Sequence, residues 1–382
     1  MPLSKIVANS ITDDTITTDQ IADTSVHGRR NLIINGAMQV AQRSTSVTDI
    51  GASSGYFTLD RHRISVGNTA GRLTMSQASI TDLPGFANAL KLDCTTADTS
   101  IAANEDLVIQ HRLEGQDLQV LKKGTSSAQP VTVSFYMKTN KAFTFMCELD
   151  DTDNNRVNTQ QFTTTTSWTR HSLTFTGDTT GTLNDDANLS IRLNFWLHAG
   201  SNFTGGTYSA NTWQSRASSD NMRAVGIGSF FDNTANEIHL TGLQLEVGEQ
   251  ATPFEHRSFG EELAACQRYF AKASGEDDNS RCIGHASRKD SAAVGFRVIT
   301  WVPVPMRADP SLVEKSPGSQ TYRFNGSNGN YNNDGSTAAT LDNTGQPKLT
   351  INVAGFSGLA ENAQGLIKVE GSGNWLALDA EL

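Results

Sequence analysis

Three aromatic residues lie close together in a polar stretch of the sequence and have the side chains that a sugar-binding site requires. The stretch spans residues 198–221, is rich in Gly, Ser and Asn, and contains Phe203, Tyr208 and Trp213. An exposed ring stacks on the apolar face of a pyranose, while amides and carboxylates bind its hydroxyl groups. The sequence therefore predicts either a glycan-binding loop or, as the favoured interpretation, a long loop that its rings anchor onto the protein.

A second cluster concentrates oxygen atoms of the kind that bind calcium. The sequence DDTDNN begins at Asp150 and also provides Asp151 and Asp153. Calcium binds such oxygens at a turn, but Arg156 and Phe162 stand where an EF-hand loop needs Gly and Glu. We therefore interpret the cluster as the solvated end of a hairpin and keep a calcium site as the weaker alternative.

Signatures of catalysis and of bound cofactors are missing from the sequence. It contains no GxSxG, HExxH or P-loop pattern, although the two carboxylates of a glycosidase leave no recognisable spacing. No pair among Cys94, Cys147, Cys266 and Cys282 has CxxC spacing, which argues against a zinc ribbon or a redox motif. Scattered thiols favour assembly in a reducing cytoplasm. We predict a protein that is not an enzyme and binds no cofactor.

The charge of the chain narrows its range of partners. The 382 residues include 30 Lys and Arg against 40 Asp and Glu, which gives a net charge of −10. Phosphate backbones repel an acidic chain, so nucleic acid is not an expected partner. No stretch has the length and apolar character of a membrane span, and the first residues lack the apolar run of a signal peptide. We expect no membrane insertion.

The N-terminal segment has an aliphatic residue at every fifth position. These residues are Ile6, Ile11, Ile16, Ile21 and Val26, and nearly all the residues between them are polar. A spacing of five matches neither a helix nor a strand, and one such row buries too little surface to offset the loss of chain entropy. We predict that residues 1–30 form an extended, fibre-like segment that is stable against copies of itself; a disordered polar tail is the alternative.

Residues 31–257 contain many short strand-like runs, separated by Gly, Asn and Asp. In residues 131–135 and 243–247, apolar side chains alternate with polar ones, as in a strand with one face in the core. No helical pattern separates the runs, which predicts an antiparallel jelly-roll β-sandwich. The strand-like runs are residues 31–36, 60–66, 72–76, 89–93, 131–138, 143–149, 170–175, 189–197 and 237–247.

A short helix and a second β domain are predicted to follow. Ser258 is a typical helix cap, acidic residues occupy the next turn, and we place a helix and linker at residues 258–280. Residues 281–382 are predicted to be a C-terminal β domain. Its segment 325–340 is rich in Gly, Asn and Ser, which predicts a long surface loop and a second candidate for ligand contacts. Strand-like runs in this domain are residues 295–304, 349–353, 366–369 and 375–378.

Several motifs resemble those of tail-fibre and minor virion structural proteins of tailed bacteriophages. NLIINGAMQVAQR (31–43) and GYFTLDRHRI (55–64) resemble the opening of a domain common in these proteins, and LTGLQLEVGEQATPFEHR (240–257) resembles its closing strand and exit. SFGEELAACQRYF (258–270) is similar to the helix that follows that domain, and VPVPMRADP (302–310) to a strand and turn of their C-terminal domains. The N-terminal pentads resemble the ITDGSITTAKIADGAV-type repeats of phage fibres.

The resemblance implies a virion structural protein with a central jelly roll similar to carbohydrate-binding modules. It implies a homotrimeric tail fibre, assembled in the host cytoplasm and attached through its N-terminus to the tail or portal–adaptor region. Three chains would bury the N-terminal aliphatic rows in stacked layers, and the fibre would adhere to a host-surface glycan as its receptor. A capsid-attached fibre or decoration protein and a polysaccharide-degrading tailspike are the alternatives.

Overall fold

The computed structural model describes most of the chain from residue 29 onward and divides it into two units. The described residues are 29–216, 222–272, 282–288, 295–315, 321–326, 329–332, 339–343, 348–354, 356, 364–370 and 374–382. The first unit comprises the described part of Met1–Met38 together with Ser46–Phe57 and His62–His256; the second comprises Gln39–Thr45, Thr58–Arg61 and Arg257–Leu382. The pentad residues, and with them the predicted stalk, lie outside the described residues: Ile6, Ile11, Ile16, Ile21 and Val26.

The first unit is built from two antiparallel sheets. Its strands are β1 (Ser46–Ile50), β2 (Gly55–Tyr56), β3 (Arg63–Gly67), β4 (Arg72–Ser79), β5 (Asn88–Thr96), β6 (Asp106–Glu114), β7 (Val131–Thr139), β8 (Thr144–Asp151), β9 (Arg156–Thr163), β10 (Thr169–Phe175), β11 (Leu189–Ala199), β12 (Gln214–Ser215) and β13 (Glu237–Val247). One sheet has the order β1-β4-β5-β13-β7-β10 and the other β12-β9-β8-β11-β6-β3-β2. Its helical segments are short: Gly115–Leu121 and Phe230–Asp232 are 3-10 helices, and Ser201–Thr204 is α1.

Aromatic rings from both sheets meet in the core of this unit. Phe135 of β7 lies edge-on to Phe162 of β9 and Phe195 of β11, with ring centroids 5.0 and 4.9 Å apart. Such edge-to-face pairs add to the free energy gained by burying the rings. The two sheets therefore pack face to face, and the predicted antiparallel jelly-roll sandwich is confirmed.

The opening segment of the first unit is hydrogen-bonded to its last strand. The side chain of Asn31 donates to the carbonyl of Leu243 and accepts from the amide of Leu245, both at 3.1 Å. The predicted strand at residues 31–36 is wrong. The side chain of Asn31 makes the hydrogen bonds to β13 that the backbone of a paired strand would make. Next to this point Gly242 has φ +61° and forms part of a bulge in β13, where a Cβ would lie 2.8 Å from the ring of Phe86.

The polar side chains of β13 are buried, although alternation along the strand predicts that they face solvent. Gln244 and Glu246 are both fully buried. The exit segment folds back over them, since the amide of Thr252 donates to Glu246 at 2.9 Å and that of Glu255 donates to Gln244 at 2.8 Å. Buried polar groups need such partners, so the chain that leaves the sandwich also completes it.

The predicted helix is present as α2 (Phe259–Gln267), where the second unit resumes. Ser258 caps it, and the side chain of Glu261 reaches back to the amide of Ser258, which forms a capping box. The helix ends before Phe270, because the next residues form strand β14. No helix in the described part of the chain is long and apolar enough to cross a membrane.

The second unit is also antiparallel and contains two sheets. Its strands are β14 (Phe270–Lys272), β15 (Cys282–Arg288), β16 (Gly295–Trp301), β17 (Ser311–Glu314), β18 (Thr321–Gly326), β19 (Gly329–Asn332), β20 (Ala339–Asn343), β21 (Lys348–Ala354), β22 (Gln364–Glu370) and β23 (Leu376–Asp379). The sheet orders are β14-β23-β17 and β19-β18-β22-β15-β16-β21-β20. The predicted surface loop at residues 325–340 is therefore wrong in part, because the end of β18, all of β19 and the start of β20 lie within it.

Three cysteines in the described residues are buried free thiols. Burial raises the pKa of Cys94 to about 11 and raises the pKa values of Cys147 and Cys266 well above the ordinary value. A thiol that keeps its proton is a weak nucleophile and a weak metal ligand. These three side chains therefore serve as small core residues, while the side chain of Cys282 lies outside the described part.

Candidate functional site

In the first unit, the seven-stranded sheet has one face that points away from the six-stranded sheet. This face carries an unusual number of polar side chains. We call it the outer face. In β11, Leu193 and Phe195 point into the core, so Arg192, Asn194 and Trp196 point outward. Asn194 is nevertheless only 1% exposed and Trp196 only 4%. The outer face is therefore a partly covered surface with its own packing.

The strand register arranges the outward residues in three rows that run across the sheet. The polar row contains Tyr56, Arg63, Gln110, Asn194, Glu148 and Thr159. The charged row contains Arg112, Arg192, Asp150, Val157 and Gln214. The apolar row contains Ser65, Val108, Trp196, Met146 and Gln161. Residues directly opposite each other share a face, so each row is a continuous line of contacts.

Glu148 lies at the centre of the polar row and has all its oxygen atoms engaged. The amide of Asn194 donates to one carboxylate oxygen at 2.7 Å, and Nε of Arg223 donates to the other at 2.7 Å. Glu148 is fully buried. Its charge is compensated by a bidentate guanidinium, the geometry that makes such pairs strong. This carboxylate is therefore fixed in place and shielded from solvent.

Asp150, in the charged row, is surrounded by three guanidinium groups. Its carboxylate accepts hydrogen bonds from Arg216 at 3.0 Å, Arg223 at 3.2 Å and Arg192 at 3.3 Å. Burial and the neighbouring Glu148 carboxylate raise the pKa of Asp150 above its ordinary value, although the three arginines oppose the rise. The predicted solvated turn is thus present between β8 and β9, but Asp150 itself is fully buried.

The three aspartates proposed as calcium ligands each have other partners. Asp151 is buried and pairs with Lys123, whose Nζ lies 2.5 Å from its carboxylate. Asp153 accepts the backbone N–H of Asn184 at 3.0 Å. A calcium ion at Asp150 or Asp151 would have to displace guanidinium and ammonium groups, so these ion pairs argue against the calcium alternative.

Two of the three predicted sugar-binding rings pack onto the apolar row. They belong to the loop of residues 200–228, of which 217–221 lie outside the description, and we call it the covering loop. Phe203 and Tyr208 contact a buried cluster around Trp196, with the Phe203 and Trp196 ring centroids 5.1 Å apart. The hydroxyl of Tyr208 accepts the backbone N–H of Gln161 at 2.9 Å. Both rings thus hold the covering loop against the sheet.

The third ring, Trp213, is not a member of that cluster. Its indole N–H donates to the carbonyl of Thr176 at 2.7 Å, and the Nζ of Lys123 lies 5.2 Å from the ring centroid. All three rings are half-buried. The geometry is that of anchors for the loop, and a role for Phe203, Tyr208 and Trp213 in glycan binding stays a prediction.

A small cavity lies where the covering loop meets the edge of the sheet. Its volume is about 10 Å³, which is close to the space that one water molecule needs. A pyranose ring cannot enter a cavity of this size. The lining residues are Val157, Thr159, Thr212, Gln214, Met222 and Arg223.

A buried group of three potential metal ligands lies beside the end of β11. Ligand atoms of Asp98, Glu105 and His198 all lie within 4.8 Å of one another. The ring of His198 contacts Glu105 at 3.2 Å and the hydroxyl of Ser229 at 2.8 Å, while Asp98 accepts from the hydroxyl of Thr69 at 2.8 Å. Each ligand atom thus has a hydrogen-bond partner, and the group joins three chain segments without needing a metal.

The most polar part of the outer face was missed by reasoning from the sequence. We expected ligand contacts in loops, because strand residues were assigned to the core. A signal was available in β11, where Arg192, Asn194, Trp196 and His198 alternate with aliphatic and aromatic core residues. Arg216 and Arg223, which complete the network, lie in the covering loop and carry no comparable pattern.

Comparison with known proteins finds carbohydrate-binding modules and a phage tailspike among similar structures. A family 4 module is 12% identical and covers 56% of this chain and 97% of its own, with a TM-score of 0.29. The family 11 module from Clostridium thermocellum, in complex with a mixed-linked tetrasaccharide, is 12% identical and covers 55% of this chain and 99% of its own, with a TM-score of 0.26. The enzymatically active domain of tailspike protein 4 from bacteriophage CBA120 is 9% identical and covers 57% of this chain and 21% of its own, with a TM-score of 0.28.

These likenesses concern the β-sandwich architecture. The matched region is 21% of the tailspike chain. No protein-family model and no curated protein sequence matches this chain.

Proposed function

We propose that this chain is a virion structural protein of a tailed bacteriophage, a trimeric tail fibre that adheres to host-surface glycan. The proposal starts from the motifs at residues 31–43 and 240–257, which resemble the opening and closing of a phage fibre domain. Asn31 in the first motif is hydrogen-bonded to Leu243 and Leu245 in the second. Residues that carry the resemblance therefore have a joint structural role, which supports reading them as parts of one domain.

The observation that carries the adhesive role is the chemistry of the outer face. The half-buried guanidinium groups of Arg63, Arg112 and Arg192 lie in adjacent rows of this face, and the half-buried ring of Tyr56 lies opposite Arg63. Planar polar groups that fix hydroxyls, combined with rings that pack on apolar faces, are the chemistry of saccharide recognition. Fixed on strands, these groups are held rigidly, which lowers the entropy cost of binding.

Binding without cleavage is the activity that this face supports best. Glu148 and Asp150 are the paired carboxylates nearest to glycosidase chemistry, but both are fully buried and hydrogen-bonded to guanidinium groups. A general acid must be within hydrogen-bond reach of the glycosidic oxygen, and these two groups are shielded from it.

The test of this point uses the purified full-length chain and polysaccharide extracted from the host surface. We expect the protein to bind the polysaccharide and to compete with phage particles for host cells, without releasing reducing ends. Release of oligosaccharides that is lost in Glu148→Gln would overturn the adhesive proposal in favour of a polysaccharide-degrading tailspike. A matched Asp153→Asn variant controls for removal of a carboxylate elsewhere.

The trimeric stalk is proposed from the sequence of residues 1–30. Three chains around an axis would bury the rows from Ile6 to Val26, and each buried aliphatic side chain contributes roughly 1.5–3 kcal/mol relative to exposure. Replacing Ile11, Ile16 and Ile21 with Asp should abolish both trimers in sedimentation and incorporation into particles. Replacing the neighbours Thr12, Thr17 and Ala22 with Asp adds the same charge outside the row and should preserve both.

Two further outcomes decide between the alternatives. Sedimentation of the full-length chain as a monomer would contradict the stalk. Images of intact virions with antibody bound to the second unit distinguish a tail fibre from a capsid-attached fibre or decoration protein, since the label then lies on the tail or on the head. We expect the label on the tail.

A further inference from the structure

The six-stranded sheet also has a face that points away from its partner sheet, and we call it the reverse face. Lys91, His239 and Lys138 lie opposite one another on β5, β13 and β7 and form one row of this face. Met137, next to Lys138, is fully buried in the core, so the row itself points outward. Trp168 lies just before β10 and contacts both Lys138 and His239. Its ring therefore belongs to the reverse face.

The indole ring of Trp168 is held in one orientation by its neighbours. Its N–H donates to the carboxylate of Asp82 at 2.9 Å, and the Nζ of Lys138 lies 5.0 Å from the ring centroid. His239 lies edge-on to the ring at 6.1 Å between centroids, and burial lowers the pKa of this histidine, so it is neutral at pH 7. The indole is half-buried, so part of its apolar surface is open to solvent. A fixed and partly exposed ring can pack against the C–H groups of a sugar with little loss of side-chain entropy.

Asp82 and Lys138 place a hydrogen-bond acceptor and a donor beside this ring. The Nζ of Lys138 donates to the Asp82 carboxylate at 2.6 Å, and the side chain of Asp82 is 53% exposed. The hydrogen bonds from Lys138 and Trp168 lower the pKa of Asp82 to about 2, so the carboxylate is ionised at neutral pH. A carboxylate oxygen accepts more than one hydrogen bond and an ammonium group donates three, so both groups retain capacity for a ligand. Because a hydroxyl group both donates and accepts, two adjacent hydroxyl groups of a sugar match this pair.

The lysines of this row are paired with carboxylates, which favours a neutral ligand. The Nζ of Lys91 lies 2.8 Å from the carboxylate of Asp93 and 3.3 Å from that of Glu237. The other lysine, Lys138, has Asp82 as its partner. A charged ligand would have to compete with these ion pairs, whereas a neutral ligand with hydroxyl groups adds hydrogen bonds without breaking them.

Aromatic surface continues from Trp168 along the same face. Tyr136 of β7 is opposite Arg170, two positions beyond Trp168, which is roughly 7 Å along a strand. Phe86 packs against Tyr136 with ring centroids 5.5 Å apart, and both rings are half-buried. Gly242 leaves room for them, since a Cβ there would lie 2.8 Å from the ring of Phe86. A glycan chain that contacts Trp168 therefore has further aromatic surface in its path.

We infer that the reverse face binds a neutral hexopyranose unit, with an apolar side of the sugar ring on Trp168 and two adjacent hydroxyl groups on Asp82 and Lys138. The inference rests on the proposed glycan adhesion and adds a second saccharide site, on the sheet opposite the outer face. Two sites on one chain can engage the same polysaccharide, so that weak individual contacts combine.

The test compares the full-length wild type with Trp168→Ala in binding to polysaccharide extracted from the host surface. Three samples serve as probes: the untreated polysaccharide, a sample whose carboxyl groups are reduced to alcohols, and a sample oxidised with periodate and then reduced with borohydride. Carboxyl reduction removes acidic sugars, while periodate cleaves the carbon–carbon bond between adjacent hydroxyl groups. We expect Trp168→Ala to bind the first two samples about tenfold more weakly than the wild type does, and the third sample equally.

Further substitutions test the polar contacts. Asp82→Ala should weaken binding of the untreated polysaccharide about tenfold, because a charged acceptor is lost, and Trp168→Phe should retain part of the affinity because it keeps an aromatic ring. Phe259→Ala removes a ring that is 57% exposed on α2 of the second unit, and it should bind like the wild type. An unchanged thermal midpoint shows that a variant is folded. If Trp168→Ala lowers the midpoint, Asp82→Ala decides, since its side chain is exposed.

The possible failures of the two proposals differ. If Trp168→Ala and Asp82→Ala bind the untreated polysaccharide like the wild type, the reverse-face inference is overturned while glycan adhesion stands. The inference is also overturned if the effect of Trp168→Ala disappears on carboxyl reduction, which would indicate an acidic sugar, or survives periodate oxidation. If the wild type binds no polysaccharide from the host surface, the proposed adhesion fails, and the inference that depends on it fails too.

Discussion

Replacing Asp150 with Asn tests whether the charged row is held together by this one carboxylate. Asp150 is fully buried and accepts from Arg192, Arg216 and Arg223 at 3.0–3.3 Å. Asparagine has nearly the same shape but no charge, and its amide nitrogen would face a guanidinium as a second donor. The variant therefore leaves three cations around a neutral side chain, with Glu148 as the nearest remaining carboxylate.

The expected cost is that of breaking a buried ion pair, about 3–5 kcal/mol, because the remaining charges lose their compensation. For a domain of this size, each kcal/mol lowers the thermal midpoint by about 2–4 °C, so we expect a decrease of roughly 10 °C. Circular dichroism and scanning calorimetry of the full-length chain measure it. Asp153→Asn, which removes a charge but keeps an oxygen acceptor for the backbone N–H of Asn184, should change the midpoint little.

The same experiment addresses calcium. Since guanidinium groups already occupy the carboxylate of Asp150, neither added calcium nor a chelator should move the wild-type midpoint. Calcium that raises the midpoint of the wild type but not of Asp150→Asn would show that Asp150 is a calcium ligand. An Asp150→Asn variant that unfolds at the wild-type temperature would show that this carboxylate does not hold the charged row together.

Three further predictions concern the cores and the pH dependence of stability. Phe135→Ala should cost about 3–5 kcal/mol in denaturant unfolding, because the ring is fully buried, whereas Val120→Ala, at a side chain 47% exposed, should cost little. Burial lowers the pKa of His198, although the neighbouring Glu105 opposes this change. The unfolded chain therefore binds the proton at a higher pH than the folded chain. The free energy of unfolding should fall as pH drops below 6.5, and it should fall less in His198→Gln. Burial raises the pKa of Asp60 from 3.8 to about 6. Its contribution to the free energy of unfolding is therefore present below about pH 4 and lost as pH rises through 6. Asp60→Asn should flatten the dependence of stability on pH in this range.

The strands of the sandwich could be predicted where aliphatic residues dominate. The predicted run at residues 237–247 coincides with β13, and β7, β8 and β11 were found with small errors at their ends. β6 and β9 were missed, because polar residues occupy inward positions in both strands: His111 in β6, and Asn158 and Gln160 in β9. A strand with polar residues on both faces lacks the alternation that single-sequence reasoning detects.

The membership of the two units could not be predicted from the sequence. Residues 39–45 and 58–61 precede most of the sandwich but belong to the second unit. There, Asp60 accepts from the amide of Gln42 at 3.0 Å, and the guanidinium of Arg43 lies over the ring of Phe270, 3.7 Å from its centroid. The contact between Arg43 and Phe270 joins residues more than two hundred positions apart, and no local pattern marks it.

The candidate site was predicted in its parts and not in its arrangement. Tyr208 and the acidic turn at Asp150 both belong to the region of the outer face, but the ring anchors a loop and the carboxylate is enclosed by arginines. The choice between an exposed and a covered ring depends on where the covering loop returns to the sheet. That return is a long-range property, set by contacts such as the hydrogen bond from Gly228 to Thr144 at 2.8 Å.

The junction between the opening and closing segments of the first unit also defines a path for mechanical force. Glu255, close to the exit, accepts the backbone N–H groups of Arg30 and Asn31 at 3.2 and 2.8 Å. Tension applied to residue 30 and to residue 256 would thus be borne first by this small set of bonds. The force would bypass the two sheets until those hydrogen bonds break. Under tension the first unit would lengthen in one early step at this junction, while the outer face stays folded.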